Sequence, residues 1–306
     1  MISYENFISD IKNLNLDLYK NYPTSNFVTF KAGGYSDIFI VPKDKDSLIK
    51  TVLSAKKHNV SYICVGGGSN LIIRDGGYRG VIICTTALNK ITHIDNIIIA
   101  QSGAKLSAVV SYALSNSLRG FEFAGGIPGT IGGGVFMNAG AYGGEIKDVI
   151  LSAEVLNDNG EVTVYDIDDL CLGYRHSKIM ENGGIVLSVT LKLEKGDELE
   201  GRKILKELNA KRREKQPTEL PSAGSTFKRP SGYFAAALID EAGLKGLTVG
   251  GAQVSPKHAG FVVNIGGATA KDIEDLTEEI KQRVYNNSGV KLDLEVRIIG
   301  ERCNEI

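Results

Sequence analysis

The chain has no tryptophan and only four cysteines in 306 residues. The missing tryptophan carries no functional meaning by itself. Cys64, Cys84, Cys171 and Cys303 show no CxxC spacing and no metal-ligand rhythm with the four histidines. They read as reduced thiols of a cytoplasmic protein, packed or incidental, and no metal is expected. No apolar run approaches the ~20 residues needed to span a bilayer. The N-terminus, Met1-Ile2-Ser3-Tyr4-Glu5-Asn6, lacks a basic region followed by an apolar core, so no secretory signal is expected. Charge of one sign is also lacking: the net value is −1, and nothing global argues for a nucleic-acid partner. There is no internal repeat and no low-complexity tract. Two nucleotide fingerprints fail as well. Gly66-Gly67-Gly68-Ser69-Asn70-Leu71 lacks the last glycine of GxGxxG, and no glycine loop ends in Gly-Lys-Ser/Thr. A Rossmann or P-loop grip is therefore excluded.

What the chain has is glycine, 36 residues of it, or about 12% against a typical ~7%. Its 42% hydrophobic and 23% charged residues are ordinary for a globular protein. The length suits two or three domains. Two glycine-rich stretches stand out. One is Val65-Gly66-Gly67-Gly68-Ser69-Asn70-Leu71. The other runs from Gly125-Gly126-Ile127-Pro128-Gly129-Thr130-Ile131-Gly132-Gly133-Gly134 to Asn138-Ala139-Gly140. Glycine reaches positive φ and lets backbone N–H groups approach a ligand. Successive N–H groups form an anion nest suited to a pyrophosphate. Two such stretches suggest one elongated, phosphate-bearing cofactor gripped twice. The plainer reading is a set of tight turns in a β-rich protein.

The periodicities predict an α+β fold. Apolar residues at helical spacing (Phe7, Ile11, Leu14, Leu18) predict a helix from Tyr4 to Leu18. A strand is expected over Asp37–Val41, a helix over Asp44–Asn59 and a strand over Ser61–Val65. Strands follow at Gly80–Cys84 and Ile97–Ala100, and a helix at Lys105–Ser117. Val149–Leu156 and Glu161–Tyr165 read as a hairpin around Asn157-Asp158-Asn159-Gly160, followed by a strand at Ile185–Leu193. Near Gly196 the character changes to a charged helix, Glu198–Lys215. Helices are expected at Tyr233–Ala242 and Ala270–Asn287, the latter opened by a Thr269/Asp272 capping box. Alternation of Leu292, Leu294, Val296 and Ile298 with polar residues predicts a closing strand over Lys291–Ile299. Strands cluster and do not alternate regularly with helices, which argues against a doubly wound sheet.

Three groups could carry chemistry. Ser225 lies in a glycine-flanked turn beside Lys228 and Arg229; most turn serines are only that. Arg175, in Tyr174-Arg175-His176-Ser177, offers a guanidinium that can fork onto a carboxylate, although an arginine there is also an ordinary surface residue. Glu295 sits on the polar face of the closing strand beside Arg297, a place equally natural for a solvated side chain or a salt bridge. No Ser-His-Asp or Cys-His arrangement is readable from spacing.

Taken in order, these motifs resemble a known family. Gly-Gly-Gly-Ser-Asn-Leu at 66–71, Ile127-Pro128-Gly129-Thr130-Ile131-Gly132-Gly133, Asn138-Ala139-Gly140-Ala141-Tyr142-Gly143, Tyr174-Arg175, Ala223-Gly224-Ser225-x-Phe227-Lys228 and Leu294-Glu295-Val296-Arg297-x-Ile299-Gly300 look like UDP-N-acetylenolpyruvoylglucosamine reductase. The resemblance runs from about Asn26 to Glu301. It implies a two-lobed FAD-binding module of the vanillyl-alcohol-oxidase/PCMH type plus a C-terminal α+β substrate domain. Residues 1–60 with 290–306 would form the first lobe, 61–197 the second, and 198–289 the substrate domain, with 198–214 as a connecting helix.

The resemblance also implies non-covalent FAD, NADPH as reductant, and a small-molecule substrate, UDP-N-acetylglucosamine enolpyruvate, in peptidoglycan precursor synthesis. No membrane or nucleic-acid partner is implied, and no oligomer is required. Cofactor contacts would come from Gly66, Gly67, Gly68, Ser69, Asn70, Leu71, Gly125, Ile127, Pro128, Gly129, Thr130, Gly132, Gly133, Asn138, Gly140 and Ala141. Substrate contacts would come from Tyr174, Lys215, Lys228, Arg229 and His258. Ser225 would be the proton donor, with Arg175 and Glu295 stabilising developing charge. Longer relatives carry an inserted tyrosine loop, but no aromatic residue lies between Tyr174 and Phe227, so this is expected to be the short form. Two rival readings remain open here: another flavin-dependent oxidase or dehydrogenase, and a non-catalytic nucleotide-sensing protein. The first often tethers flavin through His or Cys in the glycine loop, and residues 66–70 contain neither.

Overall fold

Helices and strands are mixed along the whole chain in the computed structural model, which describes residues 4–303. Packing divides the chain into two units, each assembled from separated stretches. The first comprises residues 1–19, 38–67 and 80–210, and the second 20–37, 68–79 and 211–306.

The first unit holds two apolar clusters. One lies where the helix Lys45–Lys57 faces a sheet. Asp44 caps this helix by accepting the Ser47 N–H at 2.8 Å, and Lys56 and Lys57 sit in the last turn, where cations suit the helix end. Leu48, Val52 and Ala55 project from one face onto Ile38, Ile40, Val81 and Ile83, with Phe7 and Ile11 closing the cluster. The sheet orders Leu16–Pro23, Tyr35–Pro42, Tyr78–Cys84 and Tyr62–Val65. Its last pair is parallel, with Val65 opposite Cys84.

The second cluster is covered by a five-stranded antiparallel sheet ordered Val162–Asp166, Ile150–Leu156, Ile185–Lys192, Ile97–Gln101 and Ile91–Ile94. The expected hairpin is present, closing with Leu156 opposite Val162. Val109, Val110 and Ala113 of the helix Leu106–Ser115 pack with Ile98, Ala100, Val189 and Leu191.

The second unit is built around the helix Ala270–Ser288. The Thr269/Asp272 capping box forms in both directions. Asp75 adds a second cap, accepting the N–H groups of Ala270 and Lys271 at 2.9 and 2.8 Å. Arg74 forks onto Glu274 at 2.9 and 3.2 Å. These bonds explain why residues 68–79 pack with a helix two hundred positions away. Ile273, Leu276, Ile280 and Val284 form the buried stripe. The strand Leu71–Ile73 runs parallel to Arg297–Ile299, and a three-stranded sheet orders Thr248–Val249, Ala252–Val254 and Val262–Asn264.

Two sequence expectations fail. The first helix stops at Ile11, and residues 16–23 form a strand. Leu14 and Leu18 fitted the helical period, but Asn13 and Asn15 favour local turn bonds over helix interior. The closing segment is a regular strand only over Arg297–Ile299. Upstream, its backbone instead bonds to residues 226–228 through an isolated bridge, Phe227 opposite Leu294. Residues 297–299 pair with 71–73.

Candidate active site

The two glycine stretches meet in the first unit. A Cβ on Gly66 would lie 2.3 Å from Thr130 Oγ1, and one on Gly67 would lie 3.3 Å from the Cα of Gly129. Gly66 thus faces the Thr130 hydroxyl and Gly67 the backbone of Gly129, and Gly129 has φ +121, a value natural only to glycine. The loops are held from behind. Leu106 N–H donates to Gly129 O at 3.1 Å, and Gly132 N–H to Ser102 O at 2.9 Å. Thr130 caps the turn that follows, with Gly133 N–H 3.4 Å from its Oγ1. Gly125 presses on Leu205, where a Cβ would come within 2.4 Å. Ile127 is half-buried, while Pro128 and Gly133 are exposed.

Asn138 closes the second stretch, fully buried and at φ 42. Its amide donates to Glu145 Oε2 and to Gly173 O, both at 2.9 Å, and its Oδ1 accepts the Lys147 N–H at 3.0 Å. This side chain is occupied by the protein, so Asn138 shapes the loop and does not reach outward. Gly140 and Ala141 pair with Gly144–Glu145 in a tight hairpin. Gly173 begins another tight turn: its N–H and O both pair with His176, leaving Tyr174 and Arg175 at the tip. Arg175 has φ 53, and its guanidinium lies 5.0 Å from the centre of the Tyr174 ring.

The second unit carries the rest of the first glycine motif. Gly68, at φ +64, is backed by the Phe27 ring, 2.8 Å from where a Cβ would stand. Ser69 is half-exposed. Asn70 Nδ2 donates to Glu295 O at 3.1 Å, and Asn70 O accepts the Arg297 N–H at 3.0 Å. Leu71 begins the strand beside Arg297. The Ser225 segment lies against the same residues. Glu295 N–H donates to Thr226 O at 2.9 Å, and Lys228 N–H to Asp293 O at 2.8 Å. Glu295, Ser225 and Asn70 are thus brought together, with Ser225 and Glu295 both half-exposed.

Thr226 is the residue that the sequence motif left as x. It is fully buried, donates from its N–H to Gly260 O at 2.9 Å, and accepts the Val262 N–H on its Oγ1 at 3.0 Å. A hydroxyl between Ser225 and Phe227 was the sequence's only sign of this role. His258 sits two residues before Gly260 and accepts that residue's N–H on Nδ1 at 3.2 Å. Burial holds its imidazole below the usual histidine range, so the ring is neutral with its proton on Nε2. Lys215 is exposed at the end of the helix Glu198–Lys215. Arg229 lays its guanidinium 4.0 Å from the centre of the exposed Phe234 ring. Among the described residues, no group of three His, Cys, Asp or Glu could hold a metal. No described helix is long and apolar enough to cross a membrane.

Residues 36–166, which span both glycine stretches, match the family described as FAD binding domain. Residues 216–299, which span Ser225 through Glu295, match the family described as UDP-N-acetylenolpyruvoylglucosamine reductase, C-terminal domain. The UDP-N-acetylenolpyruvoylglucosamine reductase of Alkaliphilus oremlandii is 51% identical over 280 residues, 91% of this chain and 92% of that one. The chain belongs to the UDP-N-acetylenolpyruvoylglucosamine reductase family. The reductase of Clostridium perfringens strain SM101 is 48% identical over 93% of each chain. A crystal structure of the Thermus caldophilus UDP-N-acetylenolpyruvylglucosamine reductase superposes with a TM-score of 0.78 at 33% identity, covering 92% of this chain and 98% of that one. The α+β fold of the reductase family, an FAD-binding module joined to its own C-terminal domain, is therefore the fold of this chain. The FAD-binding family match covers both glycine loops, a Cβ at Gly66 would strike the Thr130 side chain, and residues 66–70 hold no His or Cys.

Proposed function

We propose that this chain reduces the enolpyruvyl ether of UDP-N-acetylglucosamine to UDP-N-acetylmuramate, a step in peptidoglycan precursor synthesis, using NADPH and non-covalent FAD. The observation that carries the reading is the pairing of residues 226–228 with 293–295, together with the Asn70 amide on the Glu295 carbonyl. It supports a shared task for Ser225, Glu295 and the end of the glycine motif. When bound, FAD supplies hydride transfer from NADPH to the methylene carbon of the substrate.

The chain's own residues manage the accompanying charge and proton. Hydride addition pushes negative charge onto the adjacent carbon and its carboxylate. Arg175 is assigned to that carboxylate, which its planar fork suits. Glu295 orients or polarises the same centre. Ser225 donates its hydroxyl proton to the adjacent carbon from one face, giving a D-lactyl centre. A serine hydroxyl is a weak acid, but an enolate is a strong base. Lys228 or Lys215 stabilises the alkoxide left on Ser225. Lys215 and Arg229, with Tyr174 and His258, recognise the sugar nucleotide; neutral His258 offers its Nε2 proton as a donor.

Anaerobic mixing with NADPH tests this. Rapid bleaching of the flavin, reversed efficiently only by the enolpyruvyl substrate, supports it. Bleaching reversed by oxygen but not by that substrate selects another flavin oxidase. Binding of UDP-sugar without bleaching selects a sensor.

A further inference from the structure

Glycine can leave a phosphate-binding loop without side-chain anchors, so something else must fix which way its peptides face. In the first unit two consecutive carbonyls of the loop carry side-chain donors. Thr85 Oγ1 donates to Val65 O at 3.3 Å, and Cys84 Sγ to Gly66 O at 3.7 Å. Both side chains are buried. Thr86 Oγ1 lies 3.1 Å from the same sulfur, so a Thr86 O–H can donate to the thiol that donates to Gly66. Burial pushes the Cys84 thiol up, which keeps its proton in place. The turn bearing these donors cannot drift. Leu88 N–H closes onto Thr85 O at 2.8 Å, and Gly103 approaches so closely that a Cβ there would lie 1.8 Å from that oxygen.

A trans peptide points its C=O and the following N–H in opposite directions. Holding Val65 O and Gly66 O toward Cys84 and Thr85 therefore turns the N–H groups of Gly66 and Gly67 the other way. We propose that Cys84 and Thr85 are positioning residues that orient the Val65–Gly67 peptides for the phosphates of the bound flavin. The inference rests on the flavin reading above. Neither side chain touches the cofactor; both act through the loop backbone.

The test is titration of flavin-free protein with FAD, followed by flavin fluorescence quenching and the visible absorption band, well below the melting temperature. For a variant whose circular dichroism and melt show it folded at that temperature, a loss of stability alone leaves the dissociation constant unchanged. Thr85→Val keeps the shape and removes the hydroxyl. It should weaken FAD binding about 3–10-fold, the worth of one hydrogen bond, and Thr85→Ser should restore it. Cys84→Ala should weaken binding in the same direction and carries the test if Thr85→Val does not fold. Wild-type affinity in both variants overturns the inference. A wild-type protein that takes up no FAD overturns the flavin reading itself, a separate result.

Discussion

Each glycine stretch carries an asparagine near its end, and the two asparagines are used differently. Asn138, in the first unit, is fully buried and spends both amide protons and its oxygen on the protein. One of those bonds reaches Gly173, next to the Tyr174-Arg175 turn. Asn70, in the second unit, is half-exposed and reaches the carbonyl of Glu295. In both places a glycine loop is tied through an asparagine amide to backbone beside a candidate catalytic side chain. The first tie is sealed in the interior and sets shape. The second lies at a half-exposed edge beside the Ser225 segment. In each unit a single asparagine side chain holds the glycine loop to a second backbone segment.

The largest expected effect isolates the second region. Ser225→Ala should slow oxidation of reduced flavin by substrate about 10²–10⁴-fold, while reduction by NADPH stays near wild type. Stopped-flow traces slowed equally in both halves would make Ser225 a cofactor-positioning residue instead. Next come Arg175→Ala and Glu295→Ala, one from each region. Each should lower kcat about 10²–10³-fold with little change in KM. A variant that only raises KM returns its residue to ground-state binding.

The asparagines themselves give a smaller, sharper contrast. Asn138→Ala strands buried partners, at about 1–3 kcal/mol for each unsatisfied group, and should lower the melting temperature of the flavin-free protein markedly. Asn70→Ala should change it far less and lower kcat instead. Equal thermal shifts would erase the distinction between a sealed tie and an open one. The smallest effect concerns His258. Its folded-state pKa is depressed by burial, so the folded chain binds this proton more weakly than the unfolded chain does. The associated stability is complete above the ordinary value of about 6.5 and is lost as pH falls through the depressed one. Thermal melts from about pH 7.5 down to about pH 5 should therefore show a shallower decline for His258→Asn than for wild type. Identical slopes would assign the acid sensitivity elsewhere.

Local order was legible wherever a helix advertised its own ends. Glu198–Lys215 reads directly from its charge pattern, and the Thr269/Asp272 box marks the start of Ala270–Ser288. Leu16 and Leu18 were misplaced because a four-residue and a two-residue period agree over so short a stretch. The closing segment alternated like a strand, yet most of it bonds to the Ser225 segment by a single bridge. Of the candidate site, the residue types and the two glycine stretches were visible. Their mutual contact was not, since nothing local in Gly67 points to Gly129. Thr226, Cys84 and Thr85 left almost no trace, because a buried hydroxyl or thiol announces itself only through the backbone it finds.

The parallel pair of Leu71–Ile73 with Arg297–Ile299 joins positions more than two hundred residues apart. During synthesis the first unit has all its parts once residue 210 has emerged. Residues 68–79, already made, must wait for 297–299 before their strand has a neighbour. The two ends of the glycine motif thus mature at different times, and the slow, non-local closure falls on the last strand among the described residues, Arg297–Ile299. Deleting that strand would leave a chain whose early unit is complete while Leu71–Ile73 have no strand to pair with.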